Sequence, residues 1–170
     1  EGDHTGTTLV VDGASGGVGV YAVQLAVARG ATVIGTAGEA RQDDVRALGA
    51  TPVVYGEGLV DRVRAVAPQG VDLAFDTAGK GALRDLVTLT GSPDKAITIA
   101  DYAGAQELGV VFTSGGDPGE DAKALADAVA RVADGRFRTT AVVTYPLEDA
   151  GKAQDDNQHG RVPGKLVLVP

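Results

Sequence analysis

The sequence predicts an α/β domain: a doubly wound, mostly parallel six-stranded sheet with helices on both faces, followed by a C-terminal strand–helix–strand tail. Three observations predict it. Short β-branched runs alternate with stretches of helical spacing almost throughout the chain. The strand candidates are apolar along their whole length, as strands buried on both faces of a parallel sheet must be. The 25 glycines gather at the ends of those runs, where strands turn into helices.

Thr8-Leu-Val-Val-Asp12 is the first strand and ends in glycines. Val18 to Arg29 then sets Val18, Ala22, Leu25 and Ala26 on one helical face, and Gly30 is a natural C-terminal cap. Ala31 to Thr36 is the second strand, and Arg41 to Leu48 a helix stopped by Gly49. Pro52 to Tyr55 is the third strand, followed by a helix from Leu59 to Ala67 that Pro68 ends. Val71 to Asp76 is the fourth strand, Leu83 to Leu89 a helix and Lys95 to Ala100 the fifth strand. Gly109 to Thr113 is the sixth, and a long helix from Glu120 to Ala133 is expected to turn Leu125, Val129 and Val132 inward. Six strands so spaced fit two βαβαβ halves. The tail reads as strands at Thr140 to Thr144 and Lys165 to Val169, with a polar helix from Leu147 to Gln158. The expected division is residues 1–138 and 139–170.

Bulk properties exclude several classes. At 170 residues, with 44% hydrophobic and 22% charged, the chain has an ordinary soluble composition and length for a sizeable core. The net charge of −8, without a Lys/Arg cluster, argues against nucleic acid or an anionic membrane as partner. No apolar run approaches the ~20 residues of a spanning helix, and the N-terminus does not resemble a signal peptide, so the expected location is cytoplasmic. There is no cysteine, and His4 and His159 lie far apart in polar segments, so no metal site is expected. There is no methionine either, even at position 1, so a piece of a longer polypeptide is expected.

The chemistry gathers at Gly13-Ala-Ser-Gly-Gly-Val-Gly19, directly after an apolar strand and opening a helix, which is where a pyrophosphate-binding Rossmann turn belongs. Gly13 permits the tight turn, Gly16 lets backbone approach a phosphate, and Gly19 lets helix and sheet pack closely. With Ser15 and Gly17 they form the candidate pyrophosphate cradle, the N–H groups from Gly16 to Val18 facing the anion with the helix dipole behind them.

The cofactor type is read from the end of the second strand. A site for NAD offers a carboxylate to the ribose hydroxyls; here the strand runs into Thr36, Ala37 and Gly38, with Arg41 close behind. Small neutral donors and a cation favour a 2′-phosphate, hence NADP(H), and Tyr55 adds a hydroxyl. Two alternatives stand: Glu39 turned inward favours NAD, and Arg41 is equally read as a solvated helix residue. For the nicotinamide half the candidates are Thr77, Ala78 and Gly79 after the fourth strand, and Ile99 and Ala100 after the fifth. Thr77 and Asp101 also read as helix caps or turn residues.

The same glycine spacing satisfies the short-chain dehydrogenase pattern, which requires a tyrosine with a lysine four residues on. Tyr21, Tyr55, Tyr102 and Tyr145 are followed at that spacing by Leu25, Leu59, Gln106 and Asp149, so that reading fails. The glycine turn, Ala22-Val-Gln-Leu-Ala26, Val33-Ile-Gly-Thr-Ala-Gly38, Leu48-Gly-Ala50, Val71-Asp-Leu-Ala-Phe-Asp-Thr-Ala-Gly79 and Gly164-Lys-Leu-Val-Leu168 together resemble another family. It is the cofactor domain of the medium-chain dehydrogenase/reductase superfamily, in its zinc-independent, quinone-oxidoreductase-like branch.

That resemblance implies an NADPH-dependent oxidoreductase passing hydride to a quinone, enone or related carbonyl compound. It implies pyrophosphate contacts from Gly16, Gly17 and Val18, and adenosine 2′-phosphate contacts around Thr36, Gly38, Arg41 and Tyr55. Family members carry a GroES-like catalytic domain ahead of this one, onto which the tail strands often pack, so substrate contact through that missing domain and a partly exposed apolar tail are expected. A homodimer pairing sheet edges near Val110 to Thr113 is expected too. No acid/base constellation is evident, and hydride transfer needs none from the protein; the isolated chain is expected to bind NADPH but turn over substrate poorly. Two other functions remain open: the enoyl-reductase cofactor domain of a multi-domain synthase, and a non-enzymatic nucleotide-sensing domain.

Overall fold

The computed structural model describes residues 3–116, 118–160, 162 and 164–170. The chain divides into two compact units, Glu1–Phe137 and Arg138–Pro170. The first unit holds β1 (Thr8–Asp12), α1 (Gly19–Ala28), β2 (Thr32–Ala37), α2 (Gln42–Ala47), β3 (Thr51–Val54), α3 (Leu59–Val66) and β4 (Leu73–Asp76). It continues with α4 (Leu83–Thr90), β5 (Ala96–Thr98), α5 (Tyr102–Leu108), β6 (Val111–Phe112) and α6 (Pro118–Ala133). The six strands form one sheet in the order β3-β2-β1-β4-β5-β6, and every pairing is parallel. This is the doubly wound fold, with the reversal of strand order between β1 and β4.

Neighbouring residues of β1 show why the strands are apolar throughout. Val10 faces a core with Ile34, Leu59, Val63, Leu83 and Leu86, whereas Val11 faces a second core with Val33, Val23 and Val45. Neither is exposed at all, so each side of the strand is covered by helices. Burying a side chain the size of Ile34, Leu59 or Leu86 contributes roughly 1.5–3 kcal/mol.

Two expectations change here. α5 was not foreseen; it is short, and Asp101 caps it by accepting the Gly104 N–H at 2.8 Å. α6 forms, but Leu125 and Val129 point outward, 66% and 60% exposed, while Val132 is half-buried. Their helical spacing is real. What is missing is a strand beneath them, because the sheet ends at the two-residue β6. Among the described residues, no helix is long and apolar enough to cross a membrane.

The second unit is a strand–helix–strand piece: β7 (Val142–Pro146), α7 (Ala150–Gln158) and β8 (Lys165–Val169), with β7 and β8 paired in parallel. Tyr145 is buried and donates its hydroxyl to Asp156, which also accepts from Lys152 at 2.9 Å. Gly164 is required by contact as well as by its φ of +93°, since a Cβ there would overlap the Ala141 carbonyl. Val142, Leu147, Val167, Leu168 and Val169 are exposed.

Candidate cofactor site

The turn from β1 into α1 is held almost wholly by backbone. Gly13 has φ +78°, and its N–H donates to Thr36 Oγ1 at 3.0 Å. The next N–H, of Ala14, donates to the Thr36 carbonyl at 2.9 Å, which fastens the turn to β2. A Cβ on Gly19 would lie 2.1 Å from the Gly13 carbonyl oxygen and 2.8 Å from Ala14 Cα. Both are backbone atoms that cannot swing aside, so the close approach expected at Gly19 is present. Gly16 also has a tight neighbour, with a Cβ 3.1 Å from the same carbonyl.

One detail differs from expectation. The Gly16 N–H is taken by the Gly13 carbonyl at 2.9 Å, so it is not offered to a ligand. In this turn the N–H groups of Gly17, Val18 and Gly19, like that of Ser15 before them, have no partner among the described residues. They stand at the N-terminus of a ten-residue helix that has no acidic residue in its first turn and no side-chain cap. Unpaired N–H groups at the positive end of a helix dipole suit an anion. Ser15, half-buried, completes the turn.

The end of β2 is organised by side chains instead. Thr36 is fully buried; its hydroxyl donates to Asp12 Oδ1 and accepts from Gly13 N–H, so it serves the fold and is not offered to a 2′-phosphate. Ala37 is also buried, and its carbonyl, with that of Gly38, accepts from Gln42 Nε2 at 2.8 and 3.2 Å. Tyr55 lies just past β3 against Gly38, where a Cβ would sit 3.4 Å from the phenol oxygen, and its ring is largely exposed. Arg41 is not a free cation: its Nε pairs with Asp44 Oδ2 at 2.9 Å. Glu39 is exposed. Arg62, which the sequence reading passed over, donates to the carbonyls of Val54, Tyr55, Gly56 and Glu57, clasping the loop that carries Tyr55.

The turns after β4 and β5 pack on one another. Gly79 has φ +61°, and a Cβ there would lie 2.7 Å from the Ala100 carbonyl oxygen. Thr77 Oγ1 donates to the Asp12 carbonyl at 2.7 Å, so Thr77 is a turn residue binding β4 to β1. Ile99 is half-buried and donates its N–H to the Asp76 carbonyl, while Ala100 is exposed. Asp76 Oδ1 accepts from Ala78 and Gly79 N–H, both at 2.9 Å, and Asp76 Oδ2 accepts from Thr98 Oγ1 at 2.7 Å. Burial holds the Asp12 carboxyl above the usual carboxylate range; the nearby Asp76 charge adds to this, and the Thr36 hydrogen bond opposes it. Asp12, Asp76 and Thr98 were missed as site-forming residues. The signal available was an aspartate ending two otherwise apolar strands.

All four turns open at the carboxyl end of one parallel sheet, around its switch point, where doubly wound folds bind nucleotides. The class is therefore a Rossmann dinucleotide-binding domain. Residues 17–100 match the family model described as zinc-binding dehydrogenase. Over 97% of its length the chain is 33% identical to the trans-enoyl reductase himH of Aspergillus japonicus, covering 47% of that protein. It is 30% identical over 96% of its length to the quinone oxidoreductase of Sus scrofa, covering 55% of it. The quinone oxidoreductase of Escherichia coli, solved in complex with NADPH, shares the fold with a TM-score of 0.79 at 22% identity, over 98% of this chain and 58% of that one. The chain thus spans about half the length of the relatives it matches. It belongs to the medium-chain dehydrogenase/reductase superfamily, as the quinone-oxidoreductase-like cofactor domain.

Proposed function

We propose that this chain is the NADPH-holding part of a zinc-independent oxidoreductase that passes hydride to a quinone, enone or related carbonyl compound. The observation that carries the reading is the run of unpartnered N–H groups at Gly17, Val18 and Gly19, brought against the sheet by the Gly13–Gly19 contact. In this reading those N–H groups hold the pyrophosphate. Gly38, Tyr55 and Arg41 face the adenosine 2′-phosphate, with Thr36 and Ala37 shaping that end from within. Gly79, Ile99 and Ala100 border the nicotinamide, with Thr77 and Ala78 fixing their turn.

When bound, the cofactor supplies the hydride; the chain's own residues bind and orient it and need provide no acid or base. Substrate contacts are assigned to sequence outside this chain. The 170 residues alone then bind NADPH and reduce quinones slowly or not at all. The proposed compartment is the cytoplasm. The proposed assembly is a homodimer joined along β6, whose Val111 and Phe112 are exposed at the outer edge of the sheet.

A second reading makes the chain the enoyl-reductase cofactor domain serving a synthase, and the similarity to a trans-enoyl reductase favours it. Assays with quinones and with 2-enoyl thioesters, on the full-length protein, separate the two. Calorimetric titration of the chain with NADPH and with NADH tests the cofactor. NADPH is expected to bind more tightly, and tighter NADH binding overturns the assignment of Thr36 to Arg41.

A further inference from the structure

Asp12 and Asp76 end adjacent parallel strands in direct register. The same level continues outward to Thr36 on β2, which follows the Val11–Gly35 pair, and to Thr98 on β5, which pairs with Asp76. None of the four is more than 3% exposed. Thr36 donates to Asp12, Thr98 donates to Asp76, and the parallel register sets the two buried aspartates side by side on the same face of the sheet. The row therefore runs Thr36–Asp12–Asp76–Thr98 across four strands.

Five backbone amides from the three turns hang on this row. Gly13 N–H donates to Thr36, Ala78 and Gly79 N–H to Asp76, and Ala100 and Asp101 N–H to Thr98, the last two at 3.1 and 3.0 Å. Whatever sets the spacing of the row sets the spacing of the turns.

Two ionised carboxylates side by side in a buried row need a cation, and no Lys or Arg is ion-paired with either among the described residues. β2 and β5 carry no ionisable side chain, and Asp76 is the only ionisable group on β4. α1 offers only Tyr21. α3, packed on the face that carries the row, holds Asp61 and Arg64, both exposed, and Arg62, whose guanidinium is bound to the carbonyls of residues 54–57. On α4, Asp85 is a further acid, and Arg84 is paired at the surface with Glu107. Lys80 beyond the β4 turn is exposed. The two carboxyls are also unequally served. Asp76 accepts one hydroxyl and two N–H groups, which suits a carboxylate; Asp12 has the Thr36 hydroxyl alone.

We propose that Asp12 and Asp76 share a single proton, carried on Asp12 and donated to Asp76, and that this bridge makes both of them positioning residues for the three turns. The upward displacement of the Asp12 pKa by burial and by the Asp76 charge agrees with the geometry. The consequence has a definite sign. The folded chain retains a proton that the unfolded chain releases above the ordinary Asp12 value of 3.8, so stability falls as pH rises from there and levels off above the folded-state pKa. One proton corresponds to roughly 3–5 °C of melting temperature per pH unit for a chain of this size. On the reading that these turns hold a dinucleotide, loss of the proton also places a second negative charge beneath its pyrophosphate.

The test compares Asp12→Asn and Asp76→Asn with the unaltered chain. Asparagine at 12 imitates the protonated acid, with its amide donating to Asp76 and its carbonyl accepting from Thr36. At 76 it turns an N–H toward a donor. Thermal melts from pH 4 to 8 are expected to show the downward slope in the unaltered chain and its loss in D12N. D76N is expected to melt well below D12N at every pH and to lose at least tenfold in NADPH affinity. Equal slopes in the unaltered chain and D12N, or equal destabilisation by D12N and D76N, overturn the proposal. Should D76N fail to fold, the NMR titration of the Asp12 side-chain carboxyl carbon in the unaltered chain decides: a midpoint at the ordinary aspartate value sinks it. The melts and the titration need no cofactor. Absence of NADPH binding by the unaltered chain would count against the proposed function and leave the shared proton to be judged on the slopes.

Discussion

The turn after β1 and the turn after β2 stand side by side at the same end of the sheet, yet they are built on opposite principles. The first is backbone against backbone: Gly13 in a left-handed conformation, Gly19 in contact with the Gly13 carbonyl, and three N–H groups left for a ligand. The second is side chain against backbone: Gln42 holds the carbonyls of Ala37 and Gly38, Thr36 is consumed inward, and Arg41 is paired with Asp44. The difference teaches where affinity and where selectivity should reside. On the proposed reading, the pyrophosphate, common to every dinucleotide, meets the part whose Gly13 and Gly19 leave no room for a side chain. On the same reading, the adenosine end, where NADP and NAD differ, meets the exposed Tyr55 and the surface-paired Arg41, which can be exchanged with little harm to the fold.

The largest expected break of this contrast is Gly19→Ala. A methyl group 2.1 Å from a backbone oxygen forces helix and strand apart, so a loss of about 3 kcal/mol or more is expected in urea unfolding, together with loss of NADPH binding. An alanine tolerated there at full affinity would dissolve the distinction between the two turns. Removing the Tyr55 ring should do less. Tyr55→Ala uncovers Gly38 without touching the core, and an affinity loss of roughly 3–10-fold for NADPH is expected, with the melting temperature nearly unchanged. The smallest effect is expected at Arg41. Its guanidinium is already engaged with Asp44 at a partly exposed site, so Arg41→Ala should alter the NADPH-to-NADH preference by less than about tenfold. Asp44→Ala, which releases the cation, should raise that preference. Abolition of the preference by Arg41→Ala would show that a single side chain governs the adenosine end.

The same contrast explains what the sequence could disclose. Glycine spacing reports backbone constraint directly, so the β1–α1 turn and the roles of Gly13 and Gly19 were legible, as was the alternation that yields the parallel sheet. Hydroxyl direction is not legible. Thr36 reads as a donor at the mouth of the site, but a residue at the end of a central strand turns to whichever face its register dictates, and here that is the interior beside Asp12. The Gly16 N–H was misjudged for a similar reason, since its partner is a carbonyl of the same turn. α5 escaped notice because Gly104 lies in a helix of seven residues, and its cap, Asp101, becomes meaningful only once the strand before it is known to end at Thr98. The outward Leu125 and Val129 show the converse. Amphipathic spacing says that a helix has an apolar face and is silent on whether anything lies under it.

The strand order carries a consequence in time as well as in space. β1 stands in the middle of the sheet, yet its β4 neighbour is made some sixty residues after it. Until residues 73–76 leave the ribosome, one edge of the central strand has no partner, and Asp12 waits beside an empty place. The pairing of Asp12 with Asp76 is thus a long-range closure that local structure cannot complete early, which puts the assembly of the switch point late in folding. The nascent chain acquires its helix and glycine turn first, and the register that makes them a site only afterwards.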